Sequence, residues 1–369
     1  MKRDEALQKS LENLDISPTM EKNARDKYEA LSTYLNNNGI NSDFYPQGSF
    51  LLGTVIRPHR DGEDKEYDLD VLCLIKKDKM VTTPTIVKTD VGTCIKNSDQ
   101  YSKKLLKEDD HCWTLEYAKD SSNIGFTLDV VPCVDEGVSE KAEIMLSGVV
   151  AEYVFQTVSI TNKLNGRYKW LTSNPLGFGR WFSDISDKHL TPDMISDQKG
   201  KFSTEFRQIY AKTEEIPHYF YKSNLQRAVQ FIKRHRDIFF ERIKKSENKP
   251  SSILITALVA DAVKDIYPLS IEDIIKTFIN KFNTNTISLM RDGEILNPVD
   301  LREDLACRIS EADKNEINKW ISSLSALINS KDDLEFRKSI RNNINSSVFE
   351  DAFISPKNIV PVKPWSEEE

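Results

Sequence analysis

Two features that define common protein classes are missing from this 369-residue chain. Its five cysteines are scattered and never form a CxxC pair, so the sequence predicts neither a disulfide framework nor a zinc knuckle. The longest mostly apolar run, from Ile253 to Ala260, is far shorter than the roughly 20 residues that cross a bilayer. The first residues, MKRDEALQKS, hold no apolar signal core. We therefore expect a cytoplasmic protein with reduced thiols and no membrane segment.

Acidic residues outnumber basic ones in this chain. The formal net charge is -7, which disfavours a long nucleic acid held over a wide surface, because phosphate binding needs a dense basic field. Hydrophobic residues make up 39% and charged residues 30% of the chain, values typical of a globular protein rather than a disordered one. The length predicts two lobes or one large α/β unit.

The pattern along the chain predicts four parts. Ser17 and Pro18 are start signals for an amphipathic helix that Asn38-Gly39 ends, so residues 1–40 are expected to form bracing helices. Residues 41–168 have the texture of strands and short helices. Beyond Val149 the periodicity turns helical to about Asp351, which assigns residues 169–353 to a helical lobe. Residues 354–369, with three prolines and a terminal acid run, are predicted to form a flexible tail.

Three acids stand out on two strand-like segments. Asp68 and Asp70 alternate with apolar residues between Tyr67 and Ile75, so both project from one face. Asp129 lies on a second segment, where it shares a face with Thr127. Such a carboxylate set suits Mg²⁺, and two ions about 4 Å apart support phosphoryl or nucleotidyl transfer. A solvated pair at a strand end is the alternative interpretation of Asp68 and Asp70.

A Gly-Ser turn precedes the first of these segments. Gly48 allows close backbone approach to a ligand, and Ser49 offers a hydroxyl and backbone N–H groups to a phosphate. The stretch between Arg57 and Glu66 is charged and contains Pro58 and Gly62, which predicts an exposed loop.

The combination of these motifs resembles a known superfamily. It consists of Gln47-Gly48-Ser49-Phe50, Asp68-x-Asp70 and Leu128-Asp129-Val130-Val131-Pro132. Together with segments starting at Ser173, Leu225 and Lys249, it is similar to the DNA polymerase β-like nucleotidyltransferases. Within them it resembles the bacterial CD-NTases, relatives of cyclic GMP-AMP synthase that make cyclic oligonucleotide second messengers in anti-phage defence.

The resemblance implies a fold and a reaction. The fold would be an α/β (α+β) catalytic lobe with a mixed sheet, an all-helical C-terminal lobe and an active site in the cleft between them. The enzyme would use two Mg²⁺ ions, or Mn²⁺, to join nucleoside triphosphates, ATP among them, into a cyclic di- or trinucleotide with release of pyrophosphate.

The resemblance also implies residue roles. Asp68, Asp70 and Asp129 would bind metal, and Asp129 would also act as the base toward the acceptor hydroxyl. The remaining assignments concern the donor triphosphate, which would be bound by Gln47, Gly48, Ser49, Lys233 and Ser252. For the last two positions the neighbouring Arg234 and Ser251 are alternatives, since one sequence does not settle the register.

Partners and other functions complete the expectations. No histidine-cysteine cluster resembles the zinc insert of the animal enzyme, so no DNA activator is expected. We expect a monomer, with the tail as a handle for a regulatory protein. Two other functions stay open, namely template-free transfer of nucleotides to RNA or protein and a non-catalytic nucleotide-sensing scaffold.

Overall fold

The computed structural model describes residues 3–12, 14–57, 59–60, 63–64, 67–117, 125–201 and 221–344. Its α-helices are α1 (Arg3–Glu12), α2 (Pro18–Asn37), α3 (Gly48–Leu51), α4 (Pro84–Lys96), α5 (Val138–Leu146), α6 (Ala151–Val154), α7 (Pro175–Ser186), α8 (Pro192–Lys201), α9 (Asn224–Arg242), α10 (Ser252–Val263), α11 (Ile271–Asn283), α12 (Glu311–Ile328) and α13 (Asp333–Ile344). Short 3₁₀ turns are Lys79–Val81, Asp187–His189 and Ser246–Asn248.

The strands form one large mixed sheet and two small ones. They are β1 (Ser42–Pro46), β2 (His59–Arg60), β3 (Glu63–Asp64), β4 (Tyr67–Ile75), β5 (Trp113–Tyr117), β6 (Phe126–Asp135), β7 (Val158–Leu164), β8 (Arg167–Ser173), β9 (Met290–Arg291), β10 (Glu294–Asn297) and β11 (Asp300–Asp304). The large sheet has the order β1-β4-β6-β7-β8, with β5 also on β6. Among the pairings of its described strands, that of β4 with β6 is parallel and the others are antiparallel, so the sheet is mixed, as predicted.

Helix α2 begins and ends where the sequence signals predict. The Ser17 side chain accepts a hydrogen bond from Met20 N, and Pro18 occupies the first turn. Gly39 follows the helix with φ +93°, a left-handed conformation that glycine adopts readily. The apolar stripe of α2, which includes Leu31 and Leu35, is buried against the sheet.

The described residues form two large apolar cores. One lies between the large sheet and helices α2 and α4. The other is built from α7 and the helices from α9 onward, and α1 contributes Leu7 and Leu11 to it. The N-terminal helices therefore brace both cores, α1 on the helical side and α2 on the sheet. The α/β fold class with a helical C-terminal region is confirmed.

The expectation that the chain beyond Val149 is helical, with breaks only at 173–179 and 248–250, is wrong. Strands β7 and β8 form a hairpin whose turn residues, Asn165 and Gly166, have φ values of +52° and +76°. Asp292 and Gly293 play the same part between β9 and β10, with φ values of +51° and +88°. Asn-Gly and Asp-Gly are the preferred residues of tight hairpin turns, so these dipeptides outweigh the helical periodicity around them.

The predicted division after residue 168 falls inside β8, and the sheet continues past it to Ser173. The stretch from Arg57 to Glu66, predicted as a loop, contains the β2–β3 pairing, while positions 58, 61, 62, 65 and 66 lie outside the described residues. The predicted tail, residues 354–369, also lies outside them. Within the described ranges no helix has the length and apolar character of a membrane span.

Close packing of α4 on β5 supports the sheet edge beside the three acids. Gly92 of α4 is buried, and a Cβ at this position would lie 2.1 Å from Cζ2 of Trp113 on β5. The Trp113 indole is held in place because its Nε1 donates to the carbonyl of Lys88, 3.0 Å away. Neither element has room to yield.

We predict that Gly92→Ala lowers the free energy of unfolding by about 1–3 kcal/mol through overpacking. Thermal and urea denaturation measure the loss. Gly200→Ala is the control, because Gly200 is exposed on α8 and a Cβ added there would meet nothing within 4 Å. An exposed helical alanine should leave stability unchanged or raise it by up to about 1 kcal/mol. Equal stability of Gly92→Ala and wild type would contradict the prediction.

Candidate active site

The parallel pairing of β4 with β6 brings the three predicted acids onto neighbouring strands. Asp70 is the register partner of Asp129, and Asp68 is the partner of Thr127. On β4 the side chains flanking the acids, Tyr67, Leu69 and Val71, are buried in the sheet core, while Asp68 is exposed and Asp70 is half-buried. The predicted alternation is therefore confirmed, and the acids share one face of the sheet.

Two threonines hold the outer carboxylates. Thr114 of β5 donates through Oγ1 to Oδ1 of Asp129 at 2.5 Å. Thr127 of β6 donates through Oγ1 to Oδ1 of Asp68 at 2.5 Å. The sequence analysis did not assign these threonines to the site, although the position of Thr127 two residues before Asp129 on one strand face was a signal for it.

The Gly-Ser turn lies directly against the middle acid. Gly48 opens the short helix α3 with φ +59°, and a Cβ there would lie 2.8 Å from Oδ2 of Asp70. The backbone N–H of Gln47 donates to the carbonyl of Asp70 at 2.8 Å. The left-handed backbone angle and the nearby carboxylate both favour glycine at this position.

The electrostatics of the site are those of crowded negative charge. Burial raises the pKa of Asp70 to about 7, and the charges of Asp129 and Asp68 add to the effect. Burial also raises the pKa of Asp129, while the hydrogen bond from Thr114 opposes that rise. Among the described residues, no lysine or arginine forms a salt bridge with any of the three acids.

This donor set fits a divalent cation, because hard carboxylate oxygens with uncompensated charge are what Mg²⁺ prefers. As the side chains stand, no three His, Cys, Asp or Glu residues within the described ranges converge closely enough to hold a metal ion. Asp68 and Asp129 are each turned onto a threonine hydroxyl. Metal binding by all three acids therefore requires rotation of these side chains, and their metal role stays a prediction.

Lys233 lies on α9 and is 4% exposed. Its Nζ donates to the carbonyl of Thr54 at 2.9 Å, in the segment that follows Gly48 and Ser49. Burial lowers the pKa of Lys233 to about 7, with a further contribution from the Arg236 charge, against which Asp237 acts. The structure thus places Lys233 next to the Gly-Ser segment, whereas its predicted contact with a triphosphate stays a prediction.

Ser252 is the first residue of α10, and its Oγ accepts a hydrogen bond from Arg236 at 3.3 Å. The neighbouring Ser251 caps the helix by accepting from Leu254 N. Both serines therefore contact the helical lobe, and within the described residues neither bonds to the three acids. Arg234, the alternative to Lys233, is buried within the same lobe.

Sequence reasoning missed the contacts that join α9 to the Gly-Ser segment. Gln226 donates through Nε2 to the carbonyl of Leu52 at 2.9 Å, and Gln230 donates through Nε2 to the carbonyl of Val55 at 2.7 Å. The spacing of Ser223 and Gln226 is a capping-box signal, and both hydrogen bonds of that box are present. Nothing in the local pattern indicated the second partner of Gln226.

Comparison with known proteins agrees with this geometry. Residues 1–185 match the family described as the Second Messenger Oligonucleotide or Dinucleotide Synthetase domain, SMODS. The chain is 30% identical over 341 residues to a c-di-GMP synthase from Roseivirga ehrenbergii, covering 90% of this chain and 79% of that protein. It is 24% identical over 260 residues to the cyclic dinucleotide synthase CdnG from Bradyrhizobium diazoefficiens, covering 68% of this chain and 56% of CdnG.

Solved structures show the same fold at low sequence identity. The CD-NTase CdnG from Bradyrhizobium diazoefficiens, in complex with GTP, superposes with a TM-score of 0.65 at 19% identity, covering 95% of this chain and 97% of CdnG. CdnC from E. coli MS115-1, with ATP, gives a TM-score of 0.56 at 12% identity, covering 92% and 96% of the two chains.

The family match and the 30% identical relative define this protein as a nucleotidyltransferase. The chain belongs to the SMODS family, within the enzyme class of the CD-NTases.

The crowded carboxylates have a measurable consequence for stability. The pKa of Asp70 is about 7 in the folded protein and near its ordinary value of 3.8 in the unfolded chain. The folded state therefore holds more protons than the unfolded state between these values, and its stability falls as the pH rises through this window. We predict that Asp70→Asn is more thermostable than wild type, by a margin that grows from about pH 4 to about pH 7 and then levels off.

Thermal melts of the metal-free proteins at several pH values measure this margin. Asp99→Asn, a surface substitution, is the control and should track wild type at every pH. A margin that is constant with pH would contradict the raised pKa of Asp70.

Proposed function

We propose that this enzyme is a Mg²⁺-dependent cyclic dinucleotide synthase that joins two nucleoside triphosphates and releases pyrophosphate. The observation that carries the proposal is the register pairing of Asp70 with Asp129, beside Asp68 and against Gly48. It occurs in a chain that matches a c-di-GMP synthase over 90% of its length.

Each of the three acids has a defined part in this reaction. Asp129 accepts the proton of the attacking ribose hydroxyl, whose oxygen bonds to the α-phosphorus of the donor while the bond to pyrophosphate breaks. The raised pKa of Asp129 suits a base, because such a carboxylate holds the proton more tightly. Asp68, Asp70 and Asp129 would hold Mg²⁺, which would neutralise charge on the triphosphate. A second round of the same step closes the ring.

The donor triphosphate is expected to bind beside the acids. Gly48 packs closely against Asp70, and Gln47 and Ser49 flank it at the start of α3. Lys233 supports this segment through Thr54. Ser252 remains a candidate for the triphosphate through its position at the start of α10. These roles are proposed by resemblance to the family.

GTP is the proposed substrate, because the c-di-GMP synthase from Roseivirga ehrenbergii shares 30% identity with this chain. The expectation that ATP is among the substrates stays a prediction for the same assay. We propose further that the product is a second messenger in anti-phage defence, and that the enzyme acts as a monomer without a DNA activator. A regulatory protein partner for the tail is likewise a proposal.

Mass spectrometry of the products tests the function directly. Incubated with GTP and Mg²⁺, the wild-type chain should release pyrophosphate and form a cyclic dinucleotide that resists phosphatase, since a ring has no terminal phosphate. Parallel reactions with ATP and with both nucleotides define the bases. Linear products added to RNA or protein would instead identify a template-free transferase, and no nucleotide consumption would indicate a sensing scaffold.

Asp129→Asn should lower the rate of pyrophosphate release by about 10²- to 10⁴-fold, the range expected for loss of a general base. Asp99→Asn is again the control and should retain wild-type activity. A variant at Asp129 with the wild-type rate would exclude the proposed role of this acid.

Metal binding has a readout that does not depend on activity. Mg²⁺ should raise the melting temperature of the wild-type chain, because a ligand that binds only the folded state stabilises it. The same addition should have a much smaller effect on Asp70→Asn, which lacks the charge between the other two acids. Equal stabilisation of both proteins would place the metal elsewhere.

A further inference from the structure

Helix α9 reaches across from the helical lobe and binds three main-chain carbonyls of the segment that follows the Gly-Ser turn. The three bonds measure 2.9, 2.9 and 2.7 Å and join Gln226 to Leu52, Lys233 to Thr54 and Gln230 to Val55. The three donors are spaced four and three residues apart, so they share one face of the helix. We call this set of donors the carbonyl-binding face.

The acceptor segment is tied in turn to the residues proposed to contact the triphosphate. The N–H of Leu52 donates to the carbonyl of Gly48 at 3.1 Å, and the N–H of Thr54 donates to the carbonyl of Ser49 at 3.0 Å. Leu52 and Thr54 therefore each connect α9 to Gly48 or Ser49 through their own backbone groups. Gly48 is in turn packed against Asp70.

Two of the three bonds, those from Gln230 and Lys233, are shielded from water, while the bond from Gln226 to Leu52 is partly buried. Gln230 is 0%, Thr54 1% and Lys233 4% exposed. A buried carbonyl that loses its donor pays a desolvation cost that water cannot offset. The segment is consequently held in one position as long as the donors of α9 stay in place.

Gln230 also connects the N-terminal helices to this contact. Its Nε2 donates both to Val55 and to Oδ1 of Asp15, the latter at 2.8 Å, so both amide protons are used. Arg227, one turn earlier, bonds Oδ2 of the same Asp15 at 2.7 Å. Asp15, which lies between α1 and α2, is thereby bonded to α9 beside the contact of Gln230 with Val55.

We propose that Gln226 and Gln230 are positioning residues, which hold the Gly48-Ser49 turn in its nucleotide-binding conformation. Gln226 acts through Leu52, which bonds to Gly48, and Gln230 acts through Val55, which directly follows the Ser49-bonded Thr54. Neither glutamine touches substrate or metal in this proposal. The position of the helical lobe then sets the nucleotide affinity of the catalytic lobe. This inference rests on the proposed function, because it takes the turn as the triphosphate site.

Gln226→Glu is the most discriminating variant, because it removes one bond and keeps the rest. Gln226 Oε1 accepts the N–H of Ser223 at 2.8 Å in the capping box of α9. Glutamate provides the same acceptor and is a preferred residue at this position of the box. Only the donor to Leu52 is lost, and a carboxylate oxygen then faces the Leu52 carbonyl.

Gln226→Glu should raise the dissociation constant for GTP or ATP about tenfold, equivalent to about 1.4 kcal/mol. Its melting temperature should stay close to that of wild type, and saturating nucleotide should restore the turnover rate, because the acids are unchanged. In the nucleotide-free protein, the amides of Leu52 and Thr54 should exchange hydrogen faster. Calorimetry, steady-state kinetics and hydrogen exchange give these three readouts.

Arg242→Leu is the matched control. It removes a side-chain donor on the same helix, the 3.1 Å bond from Arg242 to the carbonyl of Asn342, which lies in the helical lobe. Nucleotide affinity and exchange at Leu52 should be unchanged in this variant. A purely structural role of α9 would lower stability in both variants and leave both affinities at the wild-type value.

Gly53→Ala disturbs the contact between Gln226 and Leu52 through a change in the catalytic lobe. Gly53 has φ +63°, and a Cβ there would lie 2.4 Å from Nε2 of Gln226, so the glutamine must move. Nucleotide affinity should fall as in Gln226→Glu.

Wild-type affinity in a folded Gln226→Glu protein would overturn this inference alone. A wild-type chain that binds neither nucleotide would overturn the proposed function as well.

Discussion

The constraint on which the site depends is the parallel register of β4 and β6. It sets Asp70 directly beside Asp129 and leaves Asp68 two residues away on the same face. Burial, with a further contribution from the charges of Asp129 and Asp68, raises the pKa of Asp70 to about 7, so the ionised site opposes folding. Such an arrangement costs stability, and perturbed carboxylates of this kind are typical of functional sites.

The surroundings of the acids follow from this crowding. Position 48 favours glycine, because a Cβ there would lie 2.8 Å from Oδ2 of Asp70. Thr114 and Thr127 satisfy the two outer carboxylates through their hydroxyl groups. A main-chain hydrogen bond joins Gln47 to Asp70, so the turn cannot drift away from the acids.

Helix α9 joins the two lobes, because its side chains contact both of them. Its apolar residues, including Leu225, Val229 and Ile232, are fully buried in the helical core. Its glutamines face the catalytic lobe and bind main-chain carbonyls there. Buried polar side chains need hydrogen-bond partners, and the Nε2 group of each glutamine finds a main-chain carbonyl partner in the catalytic lobe. The two lobes are therefore joined by directional bonds as well as by apolar contact.

The amino-acid sequence by itself determined the features whose geometry is decided locally, and it carried the motifs that place the chain among nucleotidyltransferases. The caps of α2 and the alternation of β4 and β6 agree with prediction, since helix ends and strand faces depend on neighbouring residues. The β7–β8 hairpin is the exception, because the helical periodicity of the flanking residues hides the turn signal of Asn165 and Gly166. Tertiary structure alone decided the rest. Asp70 and Asp129 lie far apart in the chain and become neighbours through the sheet register, and Gln226 meets Leu52 across 174 residues. The roles of Lys233 and Ser252 could be proposed only by resemblance for the same reason. Contacts at such separation follow from the packing of whole elements, which no local pattern of side chains encodes.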